Sequence, residues 1–225
     1  MERIRLAVVV LTALLTLPSE CLAQQSKAEQ IVDSPYWKHR TDLFRTLPNP
    51  ENEICFLGDS ITDGCEWREL IEIKSVTNRG ISGDTAWGIA ARIDEVTEGK
   101  PEKIFLMVGT NDLAWGGKSA SEVRDKIKEV IDTIKQQTPK TELYLQSVLP
   151  VIDREKWDYQ NKKINALNKE LVILAAAKQV AWVDIASVMT DENGQLKKEL
   201  TEDSLHLNGK AYYLWYSVIR KYLSE

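Results

Sequence analysis

The sequence predicts an α/β protein with one main domain, built on a parallel sheet of five strands with helices on both faces. Five short apolar runs alternate with segments of helical periodicity, which is typical of strands joined by helical crossovers. The first run, residues 54–57, is continuously apolar, as expected for a strand buried on both faces. Right-handed crossovers would place the carboxyl ends of all strands at one edge, where such sheets bind ligands.

The predicted elements follow in the order that this fold requires. An N-terminal helix over residues 36–47 has Trp37, Phe44 and Leu47 facing inward, and the prolines at positions 48 and 50 end it. The strands are predicted at 54–57, 75–78, 103–108, 142–147 and 180–183. The helices between and after them are predicted at 65–73, 85–96, 119–137, 159–178 and 209–223. The helix at 119–137 has the clearest pattern, with a serine cap and a continuous apolar stripe.

The first 23 residues have the three parts of a secretory signal peptide. Arg3 and Arg5 give a basic start, residues 6–17 are apolar, and Cys21-Leu22-Ala23 has small residues where a signal peptidase reads. The apolar stretch is shorter than the roughly 20 residues that a membrane-spanning helix needs. We therefore expect residues 1–23 to be cleaved off and the protein to be secreted or periplasmic, with an uncleaved anchor as the alternative.

The rest of the chain divides into a leader with the N-terminal helix, residues 24–50, and the main domain, residues 51–225. Residues 24–34 are polar, and we expect them to be frayed. The net charge is −5 and no basic stripe occurs, which argues against nucleic acid or an anionic membrane surface as a partner. Cys55 and Cys65 are too few for a disulfide framework, and unpaired thiols are favoured over a single disulfide.

Two short segments far apart in sequence supply the groups of a nucleophilic site. Ser60 directly follows the first strand, and Asp203 precedes His206 by three residues near the C-terminus. A serine, a histidine base and an orienting carboxylate are what acyl transfer needs. The chain has two histidines, and His39 lies between two cationic residues, so His206 is the better candidate for the base. A helix-capping role for Ser60 is the alternative.

Two further loops should reach the same edge of the sheet. Residues 80–84 follow the second strand and contain Gly83, and residues 109–112 follow the third strand and contain Asn111. Glycines bring backbone N–H groups close to a ligand, and an asparagine amide is a neutral donor, so both loops could stabilise an oxyanion. Taken singly, either could be a simple loop.

These four segments together resemble the conserved blocks of the SGNH hydrolases, also called GDSL esterases and lipases. The blocks are Gly58-Asp59-Ser60-Ile61-Thr62, Ser82-Gly83-Asp84-Thr85, Gly109-Thr110-Asn111-Asp112 and Asp203-Ser204-Leu205-His206, in that order. The resemblance implies a three-layer, flavodoxin-like α/β/α fold with strand order 2-1-3-4-5. It also implies that Ser60 is the nucleophile, with an oxyanion hole formed by Ser60, Gly83 and Asn111.

The expected function is a secreted serine esterase acting on short acyl esters, such as acetyl groups on a small molecule or glycan. A lysophospholipase or thioesterase is the alternative enzyme, and a catalytically silent carbohydrate-binding protein is the alternative from another class. No cofactor or metal is expected, because the histidines lack zinc-site spacing. We assign Asp59, Asp84 and Asp112 to loop hydrogen bonding. Three residues near the active edge are candidates for substrate contact: Trp87, Trp115 and Trp157.

Overall fold

The computed structural model describes residues 26–153 and 160–223, so the expected signal peptide and Trp157 lie outside the described residues. Five strands form one sheet in the order β2-β1-β3-β4-β5, and every pair in it is parallel. This order and the α/β class confirm the fold prediction. The strands are β1 (Ile54–Gly58), β2 (Val76–Gly80), β3 (Lys103–Met107), β4 (Glu142–Gln146) and β5 (Ala181–Val183).

Helices cover both faces of the sheet. Because β1 connects to β2 in the direction opposite to the later crossovers, right-handed connections put α3 on one face and α4, α6 and α7 on the other. Helix α6 packs between α4 and α7, and α9 packs beside α3. Among the described residues, no helix is long and apolar enough to span a bilayer. The helices are α1 (Pro35–Thr46), α2 (Ser60–Asp63), α3 (Trp67–Ile71), α4 (Ala86–Thr97), α5 (Thr110–Leu113), α6 (Ala120–Gln137), α7 (Asn161–Lys178), α8 (Ala186–Met189) and α9 (Gly209–Ile219).

An aromatic layer joins the sheet to α3 and α9. Phe56 is in register with Phe105, and Phe105 with Tyr144, so their rings stack across three strands at 5.0 and 4.6 Å. Trp67 of α3 stacks on Phe56 at 3.9 Å and meets Trp215 of α9 edge-on at 4.9 Å. This packing fixes the C-terminal helix, and therefore the loop before it, relative to β1.

The segment before α1 is ordered, so the prediction of a frayed leader is wrong for residues 26–34. A 3₁₀ helix spans Glu29–Asp33, and Ala28 is fully buried. The carbonyl of Ala28 accepts a 2.8 Å hydrogen bond from the hydroxyl of Thr85, a residue of the second predicted loop. In α1, Trp37 and Phe44 are buried as predicted, whereas Leu47 lies just past the helix end and is exposed.

Both cysteines of the main domain are free and buried, as favoured from the sequence. Burial raises the pKa of Cys65 to about 12, and it raises the pKa of the Cys55 thiol well above its usual range. The two thiols therefore stay protonated and pack as small apolar groups.

Candidate active site

Ser60 is the first residue of α2, directly after β1, at the carboxyl edge of the sheet. The residue that caps α2 is Asp59, whose side chain accepts the backbone N–H of Ile61 at 3.0 Å. A capping role for Ser60 is therefore wrong. The abrupt change from strand to helix leaves the Ser60 side chain half-buried at the rim of the sheet.

The structure brings His206 and Asp203 to Ser60, across 146 residues of sequence. His206 Nε2 lies 3.0 Å from Ser60 Oγ, and His206 Nδ1 lies 2.6 Å from Asp203 Oδ2. The other carboxylate oxygen of Asp203 accepts the backbone N–H groups of Leu205 and His206. These contacts hold the imidazole in the tautomer that can accept the serine proton. His39 lies in α1 with its side chain exposed.

Asp203 is ionised throughout the ordinary pH range. Partial burial acts to raise its pKa, but the hydrogen bonds from the His206 ring and from the backbone of His206 and Leu205 prevail and lower it to about 2. A charged carboxylate at this position stabilises an imidazolium when the ring takes up a proton. The pair is open to solvent, since 46% of the His206 side chain and 49% of the Asp203 side chain are exposed.

The loops that carry Gly83 and Asn111 flank Ser60, because β2 and β3 are the two neighbours of β1. Gly83 has a φ of +81°, a conformation that glycine adopts without strain. Asn111 is the second residue of α5, and its Nδ2 donates to the backbone carbonyl of Asp84 at 2.9 Å. That bond joins the two loops directly.

Three buried carboxyl groups lie under these loops, and each accepts a backbone N–H as expected from the sequence. Asp59 accepts from Ile61, Asp84 from Thr85, and Asp112 from Ala86. Burial raises the pKa of Asp59 to about 7 and that of Asp112 to about 8, and it also raises the pKa of Asp84. Within residues 26–153 and 160–223, no cluster of three or more His, Cys, Asp or Glu side chains is arranged to bind a metal ion.

Two of the three candidate tryptophans already have polar partners. The ring of Trp87 faces the ammonium groups of Lys118 and Lys126, at 4.4 and 5.6 Å from its centroid. The indole N–H of Trp115 donates to Asn111 Oδ1 at 3.1 Å. Their contact with substrate stays a prediction, and Trp157 lies outside the described residues.

The N-terminal region contributes contacts that the sequence did not reveal. Asp63, at the end of α2, accepts hydrogen bonds from the Tyr36 hydroxyl at 3.2 Å, from Arg40 at 3.3 Å and from the Ser82 hydroxyl at 2.8 Å. Trp37 Nε1 donates to Asp84 Oδ1 at 3.0 Å. Tyr36, Trp37 and Arg40 belong to none of the four blocks, and no local pattern marks side chains that meet only after folding.

Comparison with known proteins places the chain in a family. The model of the GDSL-like lipase/acylhydrolase family matches residues 56–214. The platelet-activating factor acetylhydrolase IB subunit alpha2 of Rattus norvegicus is 28% identical over 193 residues, which cover 82% of either chain.

Solved structures agree with this placement. A Streptococcus pneumonia protein provisionally described as a platelet activating factor is 30% identical, with a TM-score of 0.76 over 84% of this chain and 93% of that one. A GDSL-like lipase from Bacteroides thetaiotaomicron is 25% identical, with a TM-score of 0.73 over 83% and 96%. The chain belongs to the GDSL-like lipase/acylhydrolase family and is a carboxylic ester hydrolase.

Proposed function

We propose that this protein is a secreted or periplasmic serine esterase that removes short acyl groups, above all acetyl, with Ser60 as its nucleophile. The observation that carries the proposal is the chain of hydrogen-bonding distances from Ser60 Oγ to His206 Nε2, 3.0 Å, and from His206 Nδ1 to Asp203 Oδ2, 2.6 Å. A serine hydroxyl becomes an effective nucleophile when an adjacent base takes its proton.

The reaction proceeds in two halves. Ser60 Oγ attacks the ester carbonyl while its proton passes to His206 Nε2, and the imidazolium is stabilised by the Asp203 carboxylate. His206 then protonates the departing alcohol oxygen as the ester C–O bond breaks, leaving an acyl group on Ser60. In the second half, His206 takes a proton from water as the water oxygen attacks the acyl carbonyl. The bond between the acyl carbon and Ser60 Oγ then breaks while His206 returns the proton to Oγ, which releases the carboxylic acid and restores the free serine.

The negative charge of each tetrahedral intermediate needs fixed donors. The backbone N–H groups of Ser60 and Gly83 and the side-chain amide of Asn111 come from three adjacent strand ends, and we assign them this task. Donors that are already in place cost no reorganisation during the reaction. The hydrogen bond from Asn111 Nδ2 to the carbonyl of Asp84, the residue after Gly83, joins the loops that carry two of these groups.

Three observations favour acetyl esters and an exported enzyme. The mammalian relative that covers 82% of this chain is by name an acetylhydrolase. The open setting of His206 lets a bulky alcohol, such as a glycan hydroxyl, leave without entering a closed cavity. The basic, apolar and small-residue segments of positions 1–23 support export.

Hydrolysis of p-nitrophenyl acetate, butyrate and octanoate by the wild type and by Ser60→Ala tests the proposal. We expect the highest kcat/KM on acetate and a loss of at least about 10³-fold in Ser60→Ala. Ser121→Ala, a change of the same kind at an exposed position of α6, is the matched control and should leave turnover unchanged.

Two results would contradict the proposal. A preference for octanoate would favour the lysophospholipase or thioesterase alternative. If the wild-type protein shows no turnover that depends on Ser60, the silent carbohydrate-binding alternative is favoured.

A further inference from the structure

Trp115 forms a hydrogen bond with the asparagine of the proposed oxyanion hole. Its indole Nε1 donates to Asn111 Oδ1 at 3.1 Å. On the other side of the same amide, Nδ2 of Asn111 donates to the backbone carbonyl of Asp84 at 2.9 Å. The side chain of Asn111 is buried, so protein groups such as these, and not bulk water, determine how the amide lies.

The two partners select one of the two orientations that an asparagine amide can adopt. An indole N–H can only donate and a backbone carbonyl can only accept, whereas the amide offers an oxygen at one end and an NH₂ group at the other. Rotating the amide by half a turn would set NH₂ against the indole N–H and oxygen against the Asp84 carbonyl. Both contacts would become repulsive in a buried site, where unpaired polar groups are costly.

The selected orientation is the one that catalysis needs. It turns the amide nitrogen of Asn111 toward the backbone of Asp84, which directly follows Gly83. An oxyanion requires N–H donors, and an amide turned the other way would present a lone pair to the developing negative charge. For stabilisation of the oxyanion, the orientation of the Asn111 amide therefore matters as much as the presence of the residue.

Backbone hydrogen bonds hold the turn that carries Trp115 against α5. The N–H of Gly116 donates to the carbonyl of Asn111 at 2.8 Å, and the N–H of Lys118 donates to the carbonyl of Asp112 at 2.9 Å. Gly116 is buried, and a Cβ at that position would lie 2.7 Å from the carbonyl oxygen of Asp112. The turn after α5 thus folds back tightly on the backbone of Asn111 and Asp112.

We infer that Trp115 is a positioning residue that locks the Asn111 amide in its donor orientation and does not act through contact with substrate. The inference rests on the proposed function, because it assigns a task within the same oxyanion hole. It replaces the substrate-contact role that the position of Trp115 near the active edge indicated from the sequence.

The test is a double-mutant cycle on kcat and KM with p-nitrophenyl acetate. Trp115→Phe keeps an aromatic ring but removes the N–H, and we expect kcat to fall about 10-fold with KM changed less than about 2-fold, a fraction of the 10²–10³ that a whole donor supplies. Asn111→Ala should lower kcat by about 10²-fold. Adding Trp115→Phe to Asn111→Ala should cost nothing more, because Trp115 acts through the amide that is gone.

Trp182→Phe is the matched control, since it makes the same change in β5 and should leave both constants unchanged. A further measurement does not depend on how Trp115→Phe folds. In Asn111→Ala, hydrogen exchange of the Trp115 indole N–H, followed by NMR, should become faster than in the wild type.

Three results would overturn the inference: additive losses in the double variant, a raised KM with unchanged kcat in Trp115→Phe, or unchanged indole exchange in Asn111→Ala. Failure of the proposed function would look different, because wild-type turnover itself would then not depend on Ser60.

Discussion

Asp203 holds His206 through both carboxylate oxygens, one on the imidazole ring and the other on backbone N–H groups. The pKa of Asp203 is lowered to about 2 against the partial burial that acts to raise it, because these donors favour the charged form. A carboxyl group whose pKa is lowered by folding stabilises the folded state fully at any pH above the pKa that the same group has in the unfolded chain. For Asp203 this stabilisation is lost only as the pH falls toward 2. At neutral pH, the Asp203 carboxylate therefore stays ionised and fixes both the orientation and the tautomer of the His206 ring.

We predict that Asp203→Asn lowers kcat by about 10²–10⁴-fold, because the amide no longer selects the tautomer with Nε2 free to accept the serine proton. The measurement is kcat on p-nitrophenyl acetate between pH 6 and 9. Glu202→Gln, an exposed change of the same size one residue earlier, should be silent. Near-wild-type turnover in Asp203→Asn would remove Asp203 from the site.

The N-terminal segment, residues 26–46, acts as an outer support for the loop of Gly83. Thr85 bonds to the carbonyl of Ala28, Trp37 bonds to the side chain of Asp84, and Tyr36 and Arg40 bond to Asp63. The family model begins at residue 56, so this support lies outside the matched region.

We predict that Trp37→Phe lowers the free energy of unfolding by about 1–3 kcal/mol, because the buried Asp84 carboxyl loses a donor that phenylalanine cannot replace. Urea unfolding followed by circular dichroism measures the change. Tyr36→Phe is the control: it removes a hydroxyl from an exposed residue, and we expect a loss of less than about 1 kcal/mol. Equal losses in both variants would contradict the supporting role of Trp37.

Elements with strong local patterns were predictable from the sequence, and those defined by distant contacts were not. The capping box at Ser119 and Glu122 and the apolar stripe of α6 are local signals, and that helix was predicted to within one residue. Helices α2 and α5 have four residues each, too few to show a period. The segment around Glu29–Asp33 has no local pattern that predicts order, because it is held by residues far along the chain, such as Thr85, which bonds to Ala28 from 57 positions later.

Across the whole molecule, buried carboxyl groups at the active edge link stability to pH. Burial raises the pKa of Asp59 to about 7 and of Asp112 to about 8, whereas an unfolded chain loses these protons near pH 4, at about the ordinary pKa of aspartate. Between those limits the folded state binds more protons than the unfolded state. The stability that these groups contribute is therefore full below about pH 4 and is lost as the pH rises through 7 to 8.

We predict that the urea midpoint falls steadily from pH 5 to pH 8, and that Asp112→Asn makes this dependence shallower, because an amide has no proton to lose. The amide oxygen can still accept the N–H of Ala86. In the control Asp132→Asn, the pH dependence should be unchanged, because an ordinary aspartate already titrates below this range and the hydrogen bond from Lys178 lowers the pKa of Asp132 further. A wild-type midpoint that rises from pH 5 to pH 8 would contradict the account.

The arrangement of the active edge was predictable because it follows from topology. Once β1, β2 and β3 are parallel neighbours, the residues after them must converge, whatever the details of each loop. The contact of Trp115 with Asn111 was not predictable in the same way, because the sequence places an aromatic residue near the edge but does not show which atom it faces.

The most direct measurement of the central claim, that Ser60 is a nucleophile activated by His206, is covalent labelling with a fluorophosphonate probe. Intact-mass spectrometry and peptide mapping should show a single adduct on Ser60 in the wild type. In His206→Ala the labelling rate should fall by at least about 10²-fold, the contribution typical of a general base. An adduct on another residue, or an equal labelling rate in His206→Ala, would contradict the account.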